Sequence, residues 1–260
     1  MIDQMNKSEI ITLKKEYISV DGSFGGNQRW LRKYEDKANT LSDYGCGLIS
    51  ANDVLLHISD QPGNPSKEKY IAAVHDMNRR YFHVLPFLGV SGIMLSFYMR
   101  IYLFMHRKHF NKRYKVNWGV MPRNLLKRIT EMLKNDIPVV LSIGPGLIRG
   151  RKAELSLYSI KASNLSSEIN SPNSNIEKSA PEITKVNSVK DHYVNVTGLY
   201  TYEAKHEGNL RNKSSKSGFI TMLEISSWGK KYYIDFDEYK DYVRKHDNFL
   251  FSNILYIKPR

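Results

Sequence analysis

The sequence predicts an α+β fold, with helices concentrated in the first half of the chain and antiparallel strands in the second half. Apolar residues recur at helical spacing in residues 46–59, 67–82 and 125–133. Short runs rich in β-branched and aromatic side chains follow at residues 192–200, 219–226 and 231–236. The chain has 260 residues, of which 41% are apolar, so it is long enough to bury a sizeable core.

We predict a single domain over residues 1–260, with a helical half at about 22–135 and a sheet half at about 136–260. Residues 163–188 are rich in Ser, Asn, Glu and Pro, which predicts a mobile insertion within that domain. The most apolar stretch, residues 84–105, is interrupted by polar and charged side chains, whereas a membrane span needs ~20 uninterrupted apolar residues. It therefore predicts a loop and a buried helix.

The chain carries a formal net charge of +13, and its lysines and arginines are spread along the whole sequence. The densest basic cluster, in residues 100–115, is accompanied by no zinc-finger, RNP-type or basic-zipper pattern. The charge favours a solvated basic surface, and no nucleic-acid partner is expected. Binding to an anionic membrane or to nucleic acid through this surface stays open as an alternative function.

Cysteine usage and the N-terminal residues bear on the cellular compartment. Cys46 is the only cysteine, so no internal disulfide can form and the chain suits a reducing compartment. Residues 1–20 carry scattered charges and no continuous apolar core, so they are not a secretory signal. We therefore predict a cytoplasmic protein without a transmembrane segment.

The segment around Cys46 has the order loop, glycine, thiol, glycine, helix. Gly45 and Gly47 bracket the cysteine, and an apolar run at helical spacing begins directly after it. This order places Cys46 at a helix N-terminus, where the positive end of the helix dipole favours a thiolate. A lone cysteine is more often a small buried hydrophobe, so the residues downstream decide its interpretation.

Two downstream segments supply possible partners for the thiol. His192 opens one strand-like run, and Ser226 and Ser227 close the next, directly before Trp228 and a glycine. Adjacent strands of a hairpin would bring His192 and Ser226 to the same end of a sheet.

In this order, the three segments resemble the papain-like cysteine peptidases. The resemblance is carried by Tyr-Gly-Cys-Gly at 44–47 before a helix, by the strand that His192 opens, and by Ser-Ser-Trp-Gly at 226–229. It covers roughly residues 22–58 and 137–245. The compact spacing and the Gly-Cys-Gly context look similar to the bacterial branch that includes the double-glycine leader peptidases. The fold this implies is papain-like, with a central cysteine-bearing helix packed on a C-terminal antiparallel sheet.

The resemblance also implies a role for each matching residue. Cys46 would be the nucleophile and His192 the general base. Ser226 stands where the family has an asparagine that orients the histidine, and Trp228 matches the tryptophan that shields that hydrogen bond. Gln28 is the candidate second donor of the oxyanion hole, although it lies 18 residues before Cys46, further upstream than in the family. Gly45, Gly47 and Ser227 are supporting residues.

The expected chemistry also follows from the residue types. A thiol at a helix start beside a histidine forms a thiolate–imidazolium pair, and its pKa can fall to ~3.5–7.5. The thiolate attacks an acyl carbon, and the histidine then protonates the leaving amine. Backbone N–H groups and a second donor hold the oxyanion.

The remaining histidines do not fit the base or a metal site. His57 lies 11 residues after Cys46, so on one continuous helix it would be ~16 Å away. His106 and His109 have chelating spacing, but no cysteine or carboxylate close by completes a metal site. The sequence indicates no metal and no cofactor.

The first hypothesis is a papain-like thiol hydrolase that cleaves a peptide or amide bond of a peptide or protein substrate through an acyl-enzyme. A transferase that uses the same thiol is a variant that the sequence does not separate from it. The alternative hypothesis is a catalytically inactive papain-like protein that binds a peptide in its cleft, because Ser226 replaces the family's asparagine.

Overall fold

The protein is described by a computed structural model over residues 9–34, 40–60, 63–119, 124–145, 154–160, 183–203, 219–246 and 250–260. Within these ranges, helices and antiparallel strands are both abundant, which confirms the predicted α+β class. No helix of this part of the chain is long and apolar enough to cross a membrane.

The α-helices occupy mainly the first half of the chain, as predicted. They are α1 (Thr40–Tyr44), α2 (Cys46–Ile58), α3 (Lys67–Met77), α4 (Gly92–Met105), α5 (Leu125–Lys134) and α6 (Phe236–His246). A 3₁₀ helix at Gln28–Tyr34 precedes α1, a π-helical turn at Asn78–Phe82 extends α3, and a short 3₁₀ turn at Arg107–His109 follows α4. Helix α6 lies in the sheet half of the chain.

The strands form one large sheet and two small ones. They are β1 (Glu9–Thr12), β2 (Ser19–Val20), β3 (Ser23–Phe24), β4 (Tyr114–Trp118), β5 (Val139–Ile143), β6 (Leu155–Ile160), β7 (Ile183–Val189), β8 (His192–Glu203), β9 (Phe219–Ser227), β10 (Lys230–Asp235) and β11 (Leu255–Pro259). The large sheet has the order β1-β8-β9-β10-β6-β7, with β5 also paired to β8. Strands β4 and β11 pair with each other, as do β2 and β3.

Strand β8 pairs with three of the described strands of the large sheet. Its first half pairs with β5, where His192 lies opposite Ile143, and its second half pairs with β1, where Thr201 lies opposite Glu9. Its other edge pairs with β9, with a register shift between Val196 and Gly198. Three strands therefore fix the position of β8, and with it the position of His192.

The core lies between the large sheet and the helices. Helix α2 packs against β8 and β5. Leu48, Ala51 and Val54 of α2 are fully buried, and so are Val194 and Val196 of β8. The apolar residues that recur at helical spacing after Cys46 are therefore the ones that α2 buries against the sheet.

Two expectations differ from the structure, and one strand had not been predicted. Residues 183–188, predicted as the end of a mobile insertion, lie in β7, which pairs with β6. Strand β6 itself was not predicted, and the rest of the predicted insertion lies outside the described residues. Helix α4, predicted as buried, is buried on one side only, because Leu95 and Met99 face the core while Phe97 and Phe104 are exposed.

The glycine before the thiol gives a test of this packing. A Cβ on Gly45 would lie 2.3 Å from the backbone oxygen of Leu41, a contact that no side-chain movement relieves. We expect Gly45→Ala to lower the free energy of unfolding by about 2 kcal/mol, measured by urea denaturation. Gly63 has no atom within 4 Å of its Cβ position, so Gly63→Ala is the matched control. Equal stability of the two variants would contradict the described packing.

Candidate active site

Cys46 is the first residue of α2, as predicted, and is half-buried. Helix α1 ends immediately before it, and Gly45 occupies the N-cap position without a side-chain cap. The Ile49 backbone N–H donates to the Gly45 carbonyl, which closes the first turn of the helix. The thiol is therefore held at the positive end of a 13-residue helix.

The second glycine lets this helix end approach β8. A Cβ on Gly47 would lie 2.7 Å from Cγ1 of Val90 and 3.2 Å from the ring of Tyr193. Because Tyr193 directly follows His192, this close packing also brings the helix end carrying Cys46 beside the strand end carrying the histidine. The Tyr193 backbone N–H points at the thiol and favours its ionised form.

His192 is the first residue of β8 and is buried. Its Nε2 lies 3.0 Å from the Ser227 hydroxyl oxygen. The indole of Trp228 stacks on the imidazole, with ring centroids 4.7 Å apart and planes 23° apart. The imidazole is thus fixed by one polar contact at its edge and one aromatic contact on its face.

The turn between β9 and β10 places the indole. It consists of Trp228 and Gly229, whose φ angles of 50° and 73° both lie in the left-handed region. Two left-handed residues make a type I′ turn, the connection that matches the twist of a hairpin. A tryptophan is strained in this conformation, and strain of this kind concentrates at functional sites. The guanidinium of Arg29 also packs on the Trp228 ring, 5.5 Å from the ring centroid.

The contact to the histidine differs from the prediction in two respects. Ser226, predicted to orient His192, donates instead to the carbonyl of Phe24 at 2.7 Å, and the contact to the imidazole is made by Ser227. Successive side chains of a strand point to opposite faces, so only one of the two serines can reach the ring. The nitrogen engaged is Nε2.

Gln28 begins the 3₁₀ helix before α1 and lines the same crevice as Cys46 and His192. Its Nε2 donates to the carbonyl of Ser42 at 3.0 Å. A primary amide has two donor hydrogens, so one remains for another acceptor. The long sequence separation between Gln28 and the thiol therefore does not keep this side chain away.

The thiol lies between two concave spaces. A narrow crevice of about 10 Å³ is lined by Cys46 and by all the other residues predicted for catalysis, namely His192, Ser226 and Gln28, together with Ser227 and Trp228. A pocket of about 630 Å³ lies beside the same thiol, with an apolar lining that includes Tyr44, Val90, Trp118 and Phe251. The larger space is within the range of small-molecule and side-chain binding sites.

Burial keeps both reacting groups neutral in this structure. It raises the pKa of the Cys46 thiol to about 11, with the Tyr193 N–H acting against this rise and the Asp191 carboxylate adding to it. The pKa of His192 is lowered to about 4, mainly by burial and to a smaller extent by the positive charge of Arg29. At neutral pH the crevice is lined by a neutral thiol and a neutral imidazole, and not by the thiolate–imidazolium pair expected from the sequence.

A buried carboxylate behind the thiol was missed in the sequence. Asp53 accepts hydrogen bonds from the hydroxyls of Tyr17 (3.1 Å) and Tyr70 (2.5 Å) and from the backbone N–H of Gly26 (3.0 Å). Burial raises its pKa to about 6, against the effect of these donors. The signal for it was present, because Asp53 lies seven residues after Cys46 and so shares a helix face with the thiol.

Asn195 joins this network from β8. Its amide donates to the Tyr17 hydroxyl at 2.9 Å and to the Ser50 carbonyl at 3.1 Å, so it ties β8 to α2. Its Oδ1 is buried and has no hydrogen-bond partner among the residues that the structure describes. No sequence pattern singled out this residue.

His57 lies at the other end of α2, where its Nε2 is 3.4 Å from a carboxylate oxygen of Asp136. Burial lowers its pKa, although Asp136 acts in the opposite direction. It does not line the crevice that holds Cys46. Within the described ranges, no group of three or more His, Cys, Asp or Glu side chains is arranged to hold a metal ion.

Comparisons with known proteins leave the site to be interpreted from its own geometry. No family model, curated protein or solved structure matches the chain significantly.

The two neighbouring serines form a matched pair of variants. We expect Ser227→Ala to shift the ring nitrogen signals of His192 in ¹⁵N NMR, because the Nε2 partner is lost. Ser226→Ala should leave those signals unchanged while costing about 1 kcal/mol of stability, because the Phe24 carbonyl loses its donor. A shift caused by Ser226→Ala alone would restore the assignment made from the sequence.

The ionisation of the thiol gives a pH-dependent prediction. With a pKa near 11, the reactive thiolate fraction rises about tenfold per pH unit throughout the neutral and mildly alkaline range. We expect the rate of Cys46 alkylation by iodoacetamide to rise without a plateau up to about pH 10. His192→Ala should leave the pH dependence of the alkylation rate unchanged. A plateau below neutral pH that the variant abolishes would demonstrate an ion pair instead.

Proposed function

We propose that this protein is a thiol hydrolase with a papain-like arrangement, which cleaves a peptide or amide bond through a thioester on Cys46. The observation that carries the proposal is the meeting of a helix-start thiol, a buried histidine held by Ser227 and Trp228, and an amide donor in one crevice. These groups come from separate segments of the chain, and each has a role in acyl transfer.

The neutral state of the pair specifies the route. In the tautomer that carries its hydrogen on Nε2, His192 donates to Ser227, and Nδ1 is the basic nitrogen that takes the thiol proton. The sulfur then bonds to the acyl carbon, and the carbonyl π electrons move to oxygen. Collapse of this intermediate expels the amine, which receives the proton from His192. Water activated by the same nitrogen then hydrolyses the thioester and restores the thiol.

Stabilisation of the oxyanion is assigned to the start of α2 and to Gln28. The backbone N–H of Cys46 belongs to the first turn of the helix, where N–H groups have no partner within the helix. The second donor is the remaining N–H of the Gln28 amide. Loss of one such donor costs ~3–4 kcal/mol in comparable sites.

The apolar pocket beside the thiol points to the substrate class. Its lining includes Trp118 and Phe251, and Cys46 belongs to the lining itself. A substrate whose acyl carbon meets the sulfur would place its neighbouring side chain in this space. We therefore assign it to an apolar side chain on the acyl side of the scissile bond.

One observation favours a second candidate, a peptide-binding protein without catalysis. The crevice at the thiol holds only about 10 Å³, and both titratable groups are neutral because of burial. In that case the apolar pocket would bind a peptide that is never cleaved.

Covalent trapping separates the two candidates. The full chain is incubated with peptide aldehydes or peptide esters that carry apolar side chains, and adducts are followed by intact mass spectrometry. We expect a Cys46 adduct with the wild-type chain and none with Cys46→Ala. We expect His192→Ala to slow adduct formation by about 10²-fold or more, as for loss of a general base.

The controls use conservative changes near the site. Gln28→Ala should slow trapping by about 10²-fold, whereas Ser226→Ala should slow it little. A wild-type chain that binds these peptides but forms no adduct would refute hydrolysis and support the binding protein. Adduct formation that His192→Ala leaves unchanged would refute the proposed base.

A further inference from the structure

We infer that the exposed face of α4, together with the turn before it and the basic groove at its C-terminal end, docks on the surface of an anionic lipid bilayer. The inference is independent of catalysis by Cys46.

The first observation is that α4 is apolar on both sides. Its core-facing side carries Leu95, Met99 and Leu103. Its opposite side is just as apolar but exposed, and carries Ile93, Phe97, Ile101 and Phe104, among others. A helix that is apolar around its whole circumference is normally covered on every side, in a protein core or in lipid.

The second observation is the concentration of exposed apolar side chains. Of the thirteen large hydrophobic residues exposed in the described part of the chain, nine lie between residues 85 and 105. The tight turn before α4, closed by pairing of Leu85 with Gly89, holds Phe87 and Leu88 outward, with 83% and 80% of their surface exposed. Monomeric proteins rarely leave such a contiguous patch without a partner.

The third observation is the charge at the end of this patch. A groove of about 520 Å³ is lined by Phe104 and other apolar side chains, and by six cationic residues: Arg100, Arg107, Lys112, Arg113, Lys115 and Arg260. Within the described ranges, none of these six cations forms an ion pair with a carboxylate. Cations beside an apolar helix face match the two layers of a bilayer surface, anionic headgroups above acyl chains.

The same charges argue against a second copy of this chain as the partner of the exposed α4 face. In a two-fold dimer whose axis runs parallel to α4, the basic grooves of the two copies would face each other. Like charges placed in this way oppose association. The cations of this face are complementary to an anionic surface. A bilayer with anionic headgroups provides such a surface over the ~21 Å length of α4.

Docking would also orient the candidate active site. Phe87, Leu88 and Ile93 belong both to the exposed patch and to the lining of the pocket beside Cys46. The mouth of that pocket would then open at the interface between lipid and water, where apolar segments of substrates accumulate.

Vesicle co-sedimentation of the full chain tests the inference. We expect binding to phosphatidylcholine vesicles that contain phosphatidylserine, much weaker binding to phosphatidylcholine alone, and loss of binding as salt is raised. Phe104→Ser should weaken binding about tenfold, because an apolar side chain no longer enters the interface. Lys112→Glu should weaken it about fivefold or more, since one charge contact is reversed.

Matched variants outside the patch serve as controls. Val186→Ser changes another exposed apolar residue, on β7, and Lys185→Glu reverses a neighbouring exposed charge, so both should bind as the wild type does. Circular dichroism and thermal unfolding verify that each variant folds. The inference is overturned by absent binding, by equal binding to neutral vesicles, or by equal effects of patch and control variants. A stable dimer that Phe104→Ser dissociates in sedimentation velocity would overturn it as well.

Discussion

The packing of α2 against β8 is the contact on which the candidate site depends. It is close because Gly47 has no side chain where the ring of Tyr193 and the methyl group of Val90 lie. The thiol at the start of the helix and the histidine at the start of the strand are thereby brought to one crevice. Since β8 is also hydrogen-bonded to β5, β1 and β9, the histidine is anchored in the most constrained strand of the sheet.

A buried carboxylate connects this contact to the N-terminal glycine loop. Asp53 lies on the same helix face as the thiol and receives the backbone N–H of Gly26 and two tyrosine hydroxyls. Burying an isolated carboxylate is costly, and these three donors offset part of that cost. This contact requires glycine at position 26, because a Cβ on Gly26 would overlap the Tyr70 hydroxyl. The position of Gln28, two residues later, follows from this anchoring.

The proposed chemistry and the proposed docking surface share a boundary. The pocket beside the thiol is lined partly by residues of the exposed apolar patch, so a substrate could reach the sulfur from the lipid side. Burial of the pair favours its neutral form, which suits a thiol that is deprotonated only as it attacks. The two proposals remain separable, because vesicle binding requires no reaction at Cys46.

The sequence by itself determined the helix that begins at Cys46 and the strand that begins at His192. Glycines around Cys46 before an apolar run indicated a thiol at a helix start, and the run of β-branched and aromatic residues after His192 indicated a strand, because both signals are local. The tertiary structure decided which groups meet. Only strand pairing and the left-handed turn at Trp228 select Ser227 over Ser226 as the partner of the imidazole. Periodicity likewise could not tell that one side of α4 is uncovered, since the apolar pattern of a helix does not specify what packs against each side.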